Sequence, residues 1–491
     1  MFVAAYFFLE IKLPSQSFFE TQLVLSHLLV IIIYLHIAIT IYIHRLNILP
    51  FLNSLIFSPV PPFLLAFFRI IFFTAIIILY KFQYDSSSLI TLYNSHKGSI
   101  PFGEWFLPFI PAKVETYNLI YYLGIVCSLL SAVGFLYRYI AWLNIFFAFY
   151  LIGVPMYFGV ICTVHIWFWI CCFMVFLPAS DVYSVDSLIR KIRGHQKTYQ
   201  ASYKYGIVFN LMWIQFGIIY FFPGIWKLWD TGLSWALGQN MINQIELEWL
   251  QNYYKIPYLR PDHFPFITHC LGLCAIVIEL SVSFLLLNKN FRTIAIFLLI
   301  SLHSFAGYFM YLPFPDLEFF LVFAFLSTTM ISPNNQHDPK PKNTKALNWN
   351  IRITMVIGIF ILSMNIVFGF FGIKSWPFTI YPKHSSNVGE TFERIEFEIP
   401  EANLDRFKID SIGKKNHFDK DHYYILSDYI IGFNKTNDSV QTQKTIQTLW
   451  TNWQNGNPEL KQYNHPHAFV LETYIDPAKR YFDLKKSSIS F

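Results

Sequence analysis

The chain has 491 residues, of which 55% are hydrophobic, 20% aromatic and only 13% charged, and its mean hydropathy is +0.42. Soluble domains carry roughly 25% charged residues, so this composition excludes an ordinary soluble protein and implies an integral membrane one. The formal net charge of +6 is concentrated in short basic loops and gives no sign of a nucleic-acid partner.

In chain order, the opening "MFVAAYFFLEIKLP" is apolar but carries Glu10 and Lys12 and stops at Pro14. It lacks the basic start and small-residue cleavage site of a secretory signal, so residues 1–20 are expected to form an interfacial segment. A bilayer crossing needs about 17 to 25 apolar residues. Runs of that kind are read near 22–44, 62–82, 118–137, 156–178, 205–222, 266–287, 293–311, 316–333 and 351–372, with a shorter one at 140–154 between Arg138 and Gly153/Pro155. The predicted fold class is therefore a polytopic all-α membrane domain of about nine or ten transmembrane helices, residues 21–373.

Lysine and arginine in short loops set orientation. They cluster at 179–204 (Arg190, Lys191, Arg193, Lys197, Lys204), at 288–292 (Lys289, Arg292) and at 334–350 (Lys340, Lys342, Lys345). These loops are predicted to share the cytoplasmic side, which puts 83–117, 223–265 and everything after Lys374 on the extracytoplasmic side. All six cysteines fall inside predicted spans, so a disulfide-stapled exterior is excluded. Cys270 and Cys274 share a helix face, but buried thiols ordinarily behave as small hydrophobes, and no metal site is expected.

Residues 374–491 change character and are predicted to form a small extracytoplasmic α+β domain, large enough to own a core. "RIEFEIP" alternates Ile395, Phe397 and Ile399 with glutamates, a strand pattern. "HAFVLETYI" and "RYFDLKK" suggest further strands, and "VQTQKTIQTLWTNWQ" an amphipathic helix. Asn434 and Asn437 begin glycosylation triplets.

A charge at the centre of a spanning helix costs about 2.5–3.5 kcal/mol on insertion scales, so the exceptions are informative. Arg69, His165, Glu279 and His303 lie within spans, and Gln215 with Asn210 adds uncharged polarity to the helix that ends at Lys227. Each has a structural alternative. Arg69 can snorkel as an anchor, the histidines can be satisfied core hydrogen-bonders, and Arg69 with Glu279 can form a charge pair. Lys227 can be a snorkelling lysine at a helix end. The functional alternative for Lys227 is an ammonium wedged among Trp226, Trp229 and Trp235, where desolvation favours the neutral amine, which is a usable general base. At the membrane interface such a base could act on the head group of a lipid-soluble molecule, a quinol being the natural candidate.

The segment "QFGIIYFFPGIWKL" (215–228) resembles the Gln-x4-Tyr-Phe-x2-Gly-x2-Lys-Leu signature of vitamin K-dependent gamma-carboxylase and of the wider horizontally transferred transmembrane (HTTM) domain superfamily, and "WALG" (235–238) resembles the Trp-x-x-Gly that follows it. "FFRIIF" around Arg69, "DVYSVDSL" at 181–188, "ELSVSFLLL" at Glu279 and "LHSFAGYF" at His303 are similar to further family elements in the same order, over roughly residues 60–335. Two positions depart from the carboxylase: Trp226 stands where it has the first of two adjacent lysines, and Val164 stands where an asparagine precedes its histidine.

The resemblance implies Lys227 as the base that deprotonates a reduced, vitamin K hydroquinone-like quinone, with His165 and His303 hydrogen-bonding nearby. Gln215, Tyr220, Trp226 and Trp235 would line the cofactor. Oxygen and carbon dioxide would be co-reactants in a lyase-type carboxylation, with a secreted peptide as substrate and membrane lipid as the surroundings. The alternatives are a non-carboxylating member that matures or exports a secreted peptide, a membrane scaffold, and a transporter built on the buried charges; no paired halves of the inverted-repeat kind are seen.

Overall fold

The computed structural model describes residues 15–83, 113–157, 164–195, 197–251, 256–312, 314–329, 349–373, 375–379, 388–398, 431, 439–456, 467–476 and 483–489. Residues 1–14 of the expected interfacial segment, the 334–345 linker and the triplets at Asn434 and Asn437 lie outside these.

Fourteen helices make up the described part of the first 373 residues. They are α1 (Ser15–Ile43), α2 (Arg45–Ile56), α3 (Pro62–Gln83), α4 (Val114–Val133), α5 (Tyr137–Tyr157), α6 (His165–Met174), α7 (Val185–Ile192), α8 (Tyr203–Asp230), α9 (Ser234–Leu237), α10 (Asn240–Gln251), α11 (Pro265–Leu287), α12 (Arg292–Phe309), α13 (Pro315–Thr329) and α14 (Trp349–Phe370). Eight of them, α1, α3, α4, α5, α8, α11, α12 and α14, are long and apolar enough to cross a membrane. The chain is a multi-pass membrane protein.

Among the described residues, two of the expected spans are shorter than a bilayer crossing. The run at 156–178 contributes the end of α5 and the ten-residue α6, and the run at 316–333 contributes the fifteen-residue α13. Every residue of α6 is buried. Hydropathy alone does not separate a short helix buried by protein from one bathed in lipid, and length is what separates them. Conversely, the short run at 140–154 belongs to a full-length helix, α5.

The bundle is organised around α8, most of which is buried. It packs along α11 and also touches α1, α2, α3, α6, α13 and α14. Small residues allow the closest approach. Gly217 of α8 lies against the backbone of Ser283, and Gly224 lies against Glu279 and Leu280. The hydroxyl of Ser283 donates to the Gly217 carbonyl at 2.7 Å. Gly217 and Gly224 are two turns apart on one face of α8, and Ser283 and Glu279 one turn apart on α11, so the helices run antiparallel with backbones in near contact.

At one end of the bundle the loops are tied to one another. Val60 and Ser202 form an isolated antiparallel bridge, and Lys289 donates to the Ser58 hydroxyl at 2.6 Å. The "DVYSVDSL" element works as a double cap. The Ser184 hydroxyl accepts from the Ser187 N–H at 2.9 Å to start α7, while the Asp186 carboxylate accepts from the Leu136 and Tyr137 N–H groups at 2.8 and 3.0 Å to start α5. A carboxylate at a helix N-terminus meets both unpaired donors and the positive end of the helix dipole.

Arg69 is fully buried at this end rather than snorkelling. Its guanidinium donates to the carbonyls of Ala179 at 2.8 Å and Tyr183 at 2.6 Å, fastening α3 to the loop before α7. The expected pairing of Arg69 with Glu279 does not form, because each group is taken by a different partner.

In the tail, β1 (Thr391–Glu398), β2 (His467–Tyr474) and β3 (Asp483–Ile489) form an antiparallel sheet in the order β1-β2-β3, with α15 (Ser439–Gly456). Ile395 opposes Val470 in the β1–β2 register. Ile446 and Trp450 of α15 are buried, as are Ile395 and Ala468 of the sheet. The tail is tied to the bundle where it begins: the Val388 N–H donates to the Asn240 side chain at 2.7 Å, and the Asn243 amide donates to the Val388 carbonyl at 2.8 Å.

The approach of α8 to the loop before α3 gives a test. A methyl group on Gly206 would collide with the backbone carbonyl of Ser58, which cannot rotate away as a side chain can. Gly206→Ala is expected to destabilise the protein by about 1–3 kcal/mol, read as a lowered midpoint of thermal unfolding in detergent.

Candidate active site

The spacing that brings Gly224 against α11 also sets the position of Lys227. Three residues on, Lys227 shares that face of α8, and its ammonium donates to both carboxylate oxygens of Glu279, at 2.6 and 2.7 Å. Both residues are buried, Lys227 to 4% exposure and Glu279 to 9%. The third element is Trp235 of α9, whose ring centroid lies 4.9 Å from the Lys227 nitrogen, a cation–π contact.

The turn that presents Trp235 is latched from α1. Gln22 donates to the Thr231 carbonyl at 3.1 Å, the Leu233 N–H donates to the Ser26 hydroxyl at 3.2 Å, and Gly232 takes a φ of +71° against the Gln22 side chain. That left-handed conformation with a side chain in close contact admits only glycine at low cost.

The cage of three tryptophans expected around Lys227 is a single one. Steps of about 100° per residue turn Trp226 and Trp229 away from the face that carries Lys227. Trp226 donates its indole N–H to the Gly369 carbonyl on α14 at 2.8 Å. Trp229 is 39% exposed and stacks on His27 of α1 at 4.2 Å.

Two turns before Lys227, on the same side of α8, the Tyr220 hydroxyl and His303 Nε2 lie 2.8 Å apart. The other ring nitrogen of His303 is buried without a hydrogen-bond partner among the described residues. Glu318, in the first turn of α13, places Oε1 3.8 Å from it, and that carboxylate is 48% exposed. Tyr220 is within Coulombic reach of both Glu279 and Glu318. The α11–α12 side of α8 thus carries two adjoining polar groups, Lys227–Glu279–Trp235 and Tyr220–His303–Glu318.

The remaining expected site residues face the other way. Gln215 accepts from the Asn365 amide of α14 at 3.1 Å. His165, at the start of α6, contacts the Ser375 carbonyl through Nε2 at 3.0 Å and lies 5.0 Å from the Trp376 ring. Trp169 donates to the Pro377 carbonyl at 2.9 Å. The structure therefore brings Lys227, Tyr220, His303, Glu279 and Trp235 to one flank of α8, and Gln215, Trp226 and His165 to the flank covered by α14 and the segment after it. Arg69 belongs to the far end of the bundle. Glu318 and Asn365 went unread in the sequence, although each gave a signal: an acid in the first turn of an apolar helix and a lone amide inside an apolar span.

Comparison with known proteins gives one match. A family model, the HTTM domain, covers residues 57–329, which includes Lys227, Glu279, His303 and His165 and stops short of Asn365. No curated protein and no solved structure matches the chain.

A buried ion pair responds asymmetrically to substitution. Removing one partner leaves an uncompensated charge out of water and costs about 3–5 kcal/mol, whereas replacing both by apolar residues of similar size is often close to neutral. Lys227→Met and Glu279→Leu are each expected to lower the unfolding midpoint strongly, and the double variant to recover most of the loss. Additive single-variant effects would show that the two groups do not depend on each other.

Proposed function

The chain belongs to the HTTM domain family, and from that premise we propose that it is an integral-membrane enzyme in which the Lys227–Glu279 pair holds and moves a proton for a lipid-soluble, quinol-type reactant. The observation that carries this reading is the pair itself. An ammonium and a carboxylate lie 2.6–2.7 Å apart beneath an indole ring, inside a bundle whose outer surface is apolar.

As an ion pair the amine has no lone pair to offer. Passing the shared proton to Glu279 leaves a neutral carboxylic acid and a neutral amine, and the amine then accepts a proton from an acidic hydroxyl presented beside it. The pair gains one positive charge, balancing the negative charge left on the deprotonated group. A site shielded from water favours the neutral form of such a pair over the separated charges. Trp235 covers the nitrogen, and the latch from α1 keeps that ring in place.

The neighbouring side chains suit an aromatic head group, because the indole of Trp235 and the phenol of Tyr220 offer flat apolar faces with one polar edge each. A reduced quinone bound there would supply an acidic phenolic hydroxyl and the electrons to reduce oxygen. Carboxylation of a peptide using carbon dioxide is the fullest form of this proposal. The basic loops at 179–204 and 288–292 support a cytoplasmic position for the tied end of the bundle by the positive-inside rule. Lys227 lies about 36 Å further along α8, at 1.5 Å per residue, which supports a place for it and the tail on the extracytoplasmic side.

The second reading is a non-carboxylating member that matures or exports a secreted peptide. It draws support from the tail's attachment to Asn240 and Asn243, on the helix next to the one that carries Trp235.

Lys227→Arg separates the chemistry from the fold. Arginine retains the positive charge and can still pair with Glu279, but it does not give up its proton. In purified protein supplied with a reduced naphthoquinone and oxygen, quinol oxidation is expected to fall at least about a hundredfold, the usual scale for losing a general base, while the unfolding midpoint stays near wild type. Turnover at the wild-type rate would reject Lys227 as the base.

A further inference from the structure

On the flank of α8 away from Lys227, two buried amides meet and leave one polar atom of each without a partner among the described residues. Gln215 and Asn365 are 0% and 1% exposed, and the Asn365 amide nitrogen donates to the Gln215 carbonyl oxygen at 3.1 Å. The Gln215 amide nitrogen and the Asn365 carbonyl oxygen have no partner among the described residues. A carboxamide offers two donors and an acceptor oxygen. Turning both amides by half a rotation exchanges their roles and keeps one hydrogen bond between them.

Both residues line one narrow, partly open gap, whose other walls include Trp169, Phe222, Gly369 and Thr379. Its volume is about 10 Å³, close to what one water needs. No ionisable side chain lines it, so a charged occupant would be stripped of water with nothing to neutralise it. A buried polar atom left unmet loses the hydrogen bonds it makes to water in the unfolded chain. A helix pair carrying two such atoms, on residues that both line one gap of this size, is built to hold something there.

We propose that Gln215 and Asn365 form a binding site for one neutral hydroxyl group. The hydroxyl oxygen accepts from the Gln215 amide, and its hydrogen goes to the Asn365 carbonyl. Water supplies that group in the gap as it stands. The phenolic head of a lipid-soluble molecule supplies the same group if the Phe222 ring leaves the notch beside Gly369, which has no side chain to obstruct it. The site does not depend on Lys227 acting as a base, and the failure of either idea leaves the other standing.

The test is a density map of the full chain in lipid nanodiscs at a resolution that shows ordered water, with and without added 1-naphthol. Density is expected within about 2.7–3.2 Å of both amides. An isolated peak in both maps identifies water. A flat extension of that density with a displaced Phe222 ring, present only with 1-naphthol, identifies a phenolic head. An empty gap, with each amide turned to a protein partner, would overturn the proposal.

Unfolding supplies a second measurement. Gln215→Met and Asn365→Leu are each expected to lower the midpoint, and the double variant to lose less than the sum. Single variants as stable as wild type would also overturn it.

Discussion

The contact between Lys227 and Glu279 governs how the interior of this bundle is arranged. Neither charge is tolerable alone at that depth, so α8 and α11 must meet closely enough for the ammonium to reach both carboxylate oxygens. That requirement accounts for Gly217 and Gly224 on the facing side of α8, since a larger residue at either position would push the helices apart. It also accounts for the Ser283 hydroxyl, which satisfies itself on the Gly217 carbonyl without widening the interface. The pair is a constraint on packing before it is a candidate for chemistry. Whatever acts on its proton inherits a geometry that the helix contact has already set.

Polar groups distributed around α8 follow from the same economy. A helix surrounded by protein on nearly every side can carry polar residues on more than one face, provided each face finds its own partners. Lys227 and Tyr220 find Glu279 and His303 toward α11 and α12. Gln215 and Trp226 find Asn365 and the Gly369 carbonyl on α14. Phe222 lies on the second of these faces, against Gly369 and lining the amide gap. The two sets are thus neighbours across one helix and not walls of a single chamber, which separates the histidines from each other. His303 contacts Tyr220, while His165 contacts the segment that follows α14.

The ends of the bundle are held differently. At the basic end, main-chain carbonyls and N–H groups released by loops are collected by buried or half-buried charges: Arg69 on Ala179 and Tyr183, and Asp186 on the start of α5. At the other end uncharged side chains do the fastening, Gln22 and Ser26 on the 231–234 turn and Asn240 with Asn243 on Val388. Asp262 with Arg260 is a further ion pair there, half-buried ahead of α11, and it holds the Arg260 guanidinium above its ordinary range. The turn that leads into the Trp235 helix is thus held from α1, and the helix that follows it is held by Val388, through hydrogen bonds whose partners lie far apart in sequence.

The linear chain was enough to establish membrane residence and most of the long spans, and to single out Lys227, Glu279, His165, His303 and Arg69 as polar residues in apolar surroundings. Composition and polar residues inside apolar runs are properties of the chain alone, independent of what packs against what. The helical period likewise puts Gly217, Gly224 and Lys227 on one face. Only the tertiary structure decided which helix occupies that face. It took Glu279 from Arg69 and gave it to Lys227, kept one tryptophan of three beside the amine, and separated Gln215 and His165 from the ion pair. It also joined Asn365 to Gln215 across a gap. The physical reason is that a helix specifies direction around its own axis locally, whereas the neighbour met in each direction depends on how the other helices assemble, through contacts between residues tens to hundreds of positions apart.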